Sequence, residues 1–217
     1  MARDDHWNLA RSKSKRQPRR RIIIYCEGEN TEPSYFRALK DHIKYVDVST
    51  IPAGVPMTVA EKAVARAIEE GLSKRSKKKL KNSYEERDQI WAAFDVDEHP
   101  NFNEAVALCV SNGIGVCRSN PCFEVWLILH EADHHSPDDH RAVCERLKSL
   151  RPEYDPNGSK TCDFDEMISR VEIAEARAAA QLARRNEERT PFGRPSTTAG
   201  ELTAAIREAA ALHRPKR

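Results

Sequence analysis

The chain has 217 residues, 39% of them hydrophobic and 32% charged, with a net charge of +2. That supplies one core under a very polar surface, as one domain or one domain with a helical extension, and excludes a bilayer-spanning helix because no apolar stretch is long enough. The overall charge gives no argument for nucleic acid, but its distribution does: residues 1–21 carry eight Lys/Arg against Asp4 and Asp5, a local +6 that leaves −4 elsewhere. A second basic block holds Lys74, Arg75, Lys77, Lys78, Lys79 and Lys81. Such blocks are either solvated tails and faces or contacts to a phosphate backbone. On the second reading, Arg19, Arg20, Lys74, Arg75, Lys77, Lys78 and Lys79 are the candidate nucleic-acid-binding residues. The six cysteines form no CxxC pair, and the basic N-terminus lacks the apolar run of a signal peptide. A reduced, cytoplasmic protein with buried free thiols and no membrane partner is expected.

Residues 1–20 read as a flexible basic arm. Arg21–Cys26 is a β-branched and aromatic run without helical period, a buried strand, and it ends at Glu27-Gly28. Tyr35, Phe36, Leu39 and Ile43 give helical spacing from Glu32 to about Lys44, with Thr31 available as N-cap. A strand over Tyr45–Ile51 and a helix from Thr58 to about Leu72 follow. Gln89–Asp95 is the third strand, Phe102 to about Ser111 a helix stopped at Asn112-Gly113, and Ile114–Cys117 the fourth strand. This alternation predicts an α/β fold: a mostly parallel four-stranded sheet with helices on both faces, completed by residue 131. Residues 132–217 read as a helical extension packed on that core. Ser119-Asn120-Pro121 opens a helix with Asn120 as cap. Asp163 to about Asn186 reads as one long Ala-rich helix, and Thr198-Ala-Gly-Glu201 has capping-box spacing for the last one.

The candidate chemistry lies at two strand ends. Glu27 closes the first strand, and Asp95 and Asp97 close the third, with both aspartates on one side because side chains alternate along a strand. Neighbouring parallel strands put their ends on one rim, the place where ligands bind in open α/β sheets. Three carboxylates meeting there repel unless a cation or proton intervenes, and Mg²⁺, which favours oxygen ligands, is the natural cation, with Mn²⁺ as a substitute. The competing reading is a set of solvated acidic caps at helix N-termini.

Here the chain resembles a known fold. A hydrophobic strand ending in Glu27-Gly28 and a later one ending in Asp95-Val96-Asp97 look like the Toprim domain of topoisomerases, primases and several nucleases. More narrowly, the chain is similar to the RloB-like family, associated with bacterial anti-phage defence. The matching stretches are Ile24–Phe36, Phe94–His99, Ser119–His130 and Pro195–Thr198. The resemblance implies a metal-dependent nuclease of the abortive-infection type that hydrolyses phosphodiester bonds. In it Glu27 is general acid or base, or shares the metal, while Asp95 and Asp97 hold Mg²⁺. Its substrate is DNA or RNA, with transfer RNA one option, and defence-system proteins and a second copy of the chain are potential partners. The alternative is a non-catalytic nucleic-acid-binding or partner-regulating module. A haloacid-dehalogenase-type phosphatase also uses Asp-x-Asp, but on its first strand and followed by Thr or Val, whereas here the third strand carries it and Glu98-His99 follow.

Second-rank candidates are Glu29, Glu32, Glu98, His99, Asn120, Glu124 and His130. Glu29 and Glu32 suit outer-shell ligands, and all but Glu29 have a plainer reading: a first-turn dipole partner for Glu32 and Glu124, a loop cap for Glu98 and His99, a helix cap for Asn120, and a satisfied core histidine for His130. His134, His135, His140 and Cys144 suggest zinc, but no second ligand pair is visible and a solvated His/Asp loop fits the sequence better.

Overall fold

In the computed structural model, residues 19–74, 88–96 and 99–213 are described. The strand predicted at Arg21–Cys26 (β1) forms, and its side chains alternate between two cores. Ile22, Ile24 and Cys26 point into one, Ile23 and Tyr25 into the other. Burial on both faces explains why the run shows no polar alternation. β1 lies between Asp47–Pro52 (β2) and Gln89–Asp95 (β3), parallel to both, and β3 pairs in parallel with Gly115–Asn120 (β4). The helices Thr31–Ile43 (α1), Pro56–Glu70 (α2) and Phe102–Asn112 (α3) are the connections. Gly113 ends α3 with a φ of 82°, the left-handed turn expected of it.

α2 and α3 cover one face of the sheet with Val59, Ala63, Ala67, Phe102 and Cys109. The other face takes α1 together with the helices Glu124–Glu131 (α4), His140–Leu150 (α5), Phe164–Ile168 (α6), Val171–Glu187 (α7) and Ala199–Ala211 (α8). Arg151, at the end of α5 and 8% exposed, joins this layer. Its guanidinium donates to Glu131 at 2.6 Å and to Glu166 at 2.6 Å, and Arg170 donates to the same Glu131 oxygen at 2.7 Å.

The structure corrects the sequence reading at four places. A fifth strand, Ser196–Thr197 (β5), pairs antiparallel with β4, with Ser119 Oγ and Thr197 Oγ1 2.8 Å apart. Given that partner, β4 runs on through Asn120, which is a strand end and not a helix cap. The Asn120 amide donates to the Phe192 carbonyl at 2.9 Å and accepts from Arg194 Nε at 3.2 Å. The long helix expected over 163–186 is broken between α6 and α7, where Ser169 Oγ donates to the Glu166 carbonyl at 2.6 Å and competes with the helical ladder. Thr198 makes no cap hydrogen bond. Its hydroxyl instead donates to Val116 O and accepts from Arg118 N, both at 3.0 Å, locking α8 onto β4.

A candidate acidic cleft at the strand ends

Glu27 follows β1 directly, and its N–H donates to Ala93 O of β3 at 2.9 Å. That bond holds the backbone in line with the neighbouring strand and turns the side chain along the rim. Glu27 Oε2 accepts from the Asp95 N–H at 3.1 Å, and Oε1 lies 3.2 Å from His99 Nε2. The sheet order β2-β1-β3-β4-β5 makes this meeting inevitable, because the first and third strands are neighbours that end together. Asp97 and Glu98 lie outside the described residues.

Gly28 makes the turn after Glu27. Its N–H donates to Glu32 Oε1 at 3.2 Å. A Cβ on Gly28 would stand 2.4 Å from Glu32 Oε2, so a side chain here would push the folded-back carboxyl aside. Glu32 is 5% exposed. Burial pushes its carboxyl up to about 7, the backbone N–H groups of Glu32 and Gly28 oppose the rise, and the negative charges of Glu124 and Glu27 add to it. Glu124, in the first turn of α4, is buried and accepts from Tyr154 Oη at 2.6 Å.

Glu27, Glu32, Asp95 and Glu124 line one cleft of about 440 Å³, together with His140 and Lys160. Glu29 lines it too and is exposed. The Thr31 hydroxyl donates to the Lys160 carbonyl at 3.2 Å, tying the 155–160 loop to the start of α1. Neither Lys160 nor Tyr154 stood out in the sequence, since both sit in an irregular stretch with no periodic or motif signal.

Other candidates fall elsewhere. His130 is 1% exposed, its Nδ1 donates to Trp126 O at 3.0 Å, and its Nε2 accepts from Tyr35 Oη at 3.0 Å. Burial lowers its pKa to about 4; Arg170, Arg151 and Arg177 add to that and the Trp126 carbonyl opposes it. It is a core histidine outside the cleft. Arg19 and Arg20 precede β1 and so stand about 20 Å along the strand from Glu27. The Lys74 N–H donates to Asn112 O just before β4, again on the far rim. Arg75, Lys77, Lys78 and Lys79, and residues 1–18 of the arm, lie outside the described residues.

The stretch 133–139 is the loop expected, exposed or half-exposed except at His134. His134 is 5% exposed, and its carbonyl accepts from Gln181 Nε2 at 2.8 Å. His140 and Cys144 meet Cys122 and Glu124, with one ligand atom from each lying within 4.8 Å of all the others. This cluster could hold a metal ion, and its second ligand pair was invisible because Cys122-x-Glu124 comes from a different element. Hydrogen bonds from Cys122 and His140 pull the Cys144 thiol down to about 6, against burial and the charge of Glu124. Burial raises the thiols of Cys26 and Cys117. All six cysteines are free, and no helix among the described residues is long and apolar enough to cross a membrane.

Comparison with curated proteins and with solved structures returns no match. The family model described as RloB-like protein matches residues 22–206, a span that includes both strand ends, the cleft and the closing strand β5; the chain belongs to the RloB-like family.

Proposed function

We propose that this chain is a Mg²⁺-dependent, Toprim-type nuclease that hydrolyses phosphodiester bonds of nucleic acid in bacterial anti-phage defence. The observation that carries the proposal is the meeting of Glu27 and Asp95 at adjacent parallel strand ends, in a cleft that also holds Glu32 and Glu124. Acids that share one cleft favour a cation among them, and their oxygens suit a hard one. Glu27 and Asp95 would hold Mg²⁺, with Asp97 as the remaining member of the motif. When bound, the ion supplies polarisation of a phosphoryl oxygen and neutralises developing charge.

The chain's own groups supply the rest. Glu27 is oriented by the Asp95 N–H and by His99, so its carboxylate is fixed before substrate arrives. Glu32, titrating near neutrality, is suited to take or give a proton beside Glu27. Lys160 belongs to the cleft wall, and its ammonium turned inward would suit a non-bridging phosphate oxygen.

The test is incubation of purified protein with labelled DNA and with total RNA, in Mg²⁺, Mn²⁺ or chelator. Divalent-dependent cleavage that Glu27→Gln and Asp95→Asn both abolish is the expected result. Salt-sensitive binding to either nucleic acid with no product under any divalent ion would replace the nuclease with a binding module. The two substrates resolve DNA from RNA, and transfer RNA fragments in the second would narrow it further.

A further inference from the structure

Beside the acids of the cleft lies a cluster with different chemistry. Cys122 sits in the connection between β4 and α4, and Glu124 is the first residue of α4. His140 and Cys144 stand four residues apart in α5 and so share one face of that helix. The start of α5 is fixed by Asp139, whose side chain accepts from the Ala142 N–H at 2.9 Å. Cys122 is fully buried, Cys144 is 6% exposed and Glu124 is 4% exposed, while His140 is exposed and leaves a way in from the cleft.

We infer that Cys122, Glu124, His140 and Cys144 form a four-coordinate zinc site, separate from the Glu27–Asp95 site and independent of the proposed nuclease activity. Two thiolates, an imidazole and a carboxylate match the ligands zinc takes, whereas Mg²⁺ takes oxygens alone. In a tetrahedron with Zn–S of about 2.3 Å and Zn–N or Zn–O of about 2.0 Å, ligand atoms stand roughly 3.3–3.8 Å apart. All four present a ligand atom within 4.8 Å of the others, so small side-chain rotations close the shell. The Tyr154 hydroxyl, 2.6 Å from Glu124 Oε1, supplies the outer hydrogen bond that orients a ligating carboxylate. With four protein ligands the shell is closed, and its effect is to clamp the first turn of α5 to the entry of α4. That fixes Glu124 and His140 where they line the cleft.

The full-length chain, purified under reducing conditions without chelator, is assayed for zinc by elemental analysis. After metal removal it is titrated with Co²⁺ and with Zn²⁺, with no nucleic acid present. Expected are one zinc per chain and a thiolate-to-cobalt charge-transfer band with tetrahedral d–d bands. Cys122→Ser and Cys144→Ser should each lower zinc affinity at least about tenfold, and Tyr154→Phe about tenfold. Cys162→Ser, outside the cluster, and Glu27→Gln should bind zinc as the wild type does. Substoichiometric zinc at micromolar metal, a cobalt spectrum without the thiolate band, a Cys122–Cys144 disulfide in place of metal, or loss of zinc in Glu27→Gln would overturn the inference. If the serine variants fail to fold, the cobalt spectrum of the wild type decides alone.

Discussion

At the scale of single residues, the cleft depends on how each carboxyl is held. Removing the charge of Glu27 or Asp95 leaves the shape of the turn in place, so Glu27→Gln and Asp95→Asn are expected to lower divalent-dependent cleavage by about 10²-fold or more, with unchanged circular dichroism. Residual activity near wild type in both would remove these acids from the reaction. Glu32 gives a separate, pH-dependent test on the metal-free chain. Its folded-state value of about 7 lies above the ordinary 4.5. The stability it contributes is therefore complete below about pH 4.5 and is lost as pH rises through about 7. Glu32→Gln cannot ionise, so relative to wild type the variant should gain up to about 3 kcal/mol between about pH 4.5 and pH 8, read from urea midpoints. A pH-independent difference would show that Glu32 is not held neutral by burial. Glu27 and Asp95 were legible in the sequence because strand ends are marked by Gly28 and by the apolar runs before them. Tyr154, Lys160 and the Cys122–Cys144 contact were not, because they arise from packing between segments without local pattern.

Among elements, the closing strand β5 carries more than its two residues suggest. Thr198 satisfies a carbonyl and an N–H of β4 with one hydroxyl. Thr198→Val keeps the volume but removes the partner of both groups in a part-buried setting, and should cost about 1–3 kcal/mol in denaturant unfolding. A loss below about 0.5 kcal/mol would mean that water replaces the hydroxyl. Sequence spacing suggested a capping box here, and the helix does begin at Ala199, but tertiary pairing took the hydroxyl for another purpose. The same competition explains Asn120. Its residue type suits a cap, yet a strand partner 76 residues later in the chain keeps it extended. The α6–α7 break escaped detection because the apolar stripe continues across it while only Ser169 signals the interruption.

For the molecule as a whole, the βαβ alternation of residues 21–120 was readable from periodicity, since each element buries its own face. How the C-terminal half completes it was not. Val143, Leu147, Phe164, Ala174, Leu202 and Ile206 belong to the same buried cluster as Ile22 and Ile24. A chain ending at residue 131 would expose that face of the sheet, including Trp126 and Leu129, to water. It is expected to be aggregated or molten by near-ultraviolet circular dichroism and hydrogen exchange, whereas a cooperatively folded fragment would make residues 132–217 an accessory layer.

The 155–160 loop reaches the acids' rim from this later half, tied to α1 by the Thr31 hydroxyl. Among the described residues, the strand ends that carry Glu27 and Asp95 bond to each other's backbone and take no backbone bond from this loop. Lengthening or shortening this flap would resize the entrance while the reacting groups stay in register. If the cleft takes nucleic acid as proposed, a change in the length of this loop is expected to alter which strand, slim or folded, can enter, and not the register of the paired acids.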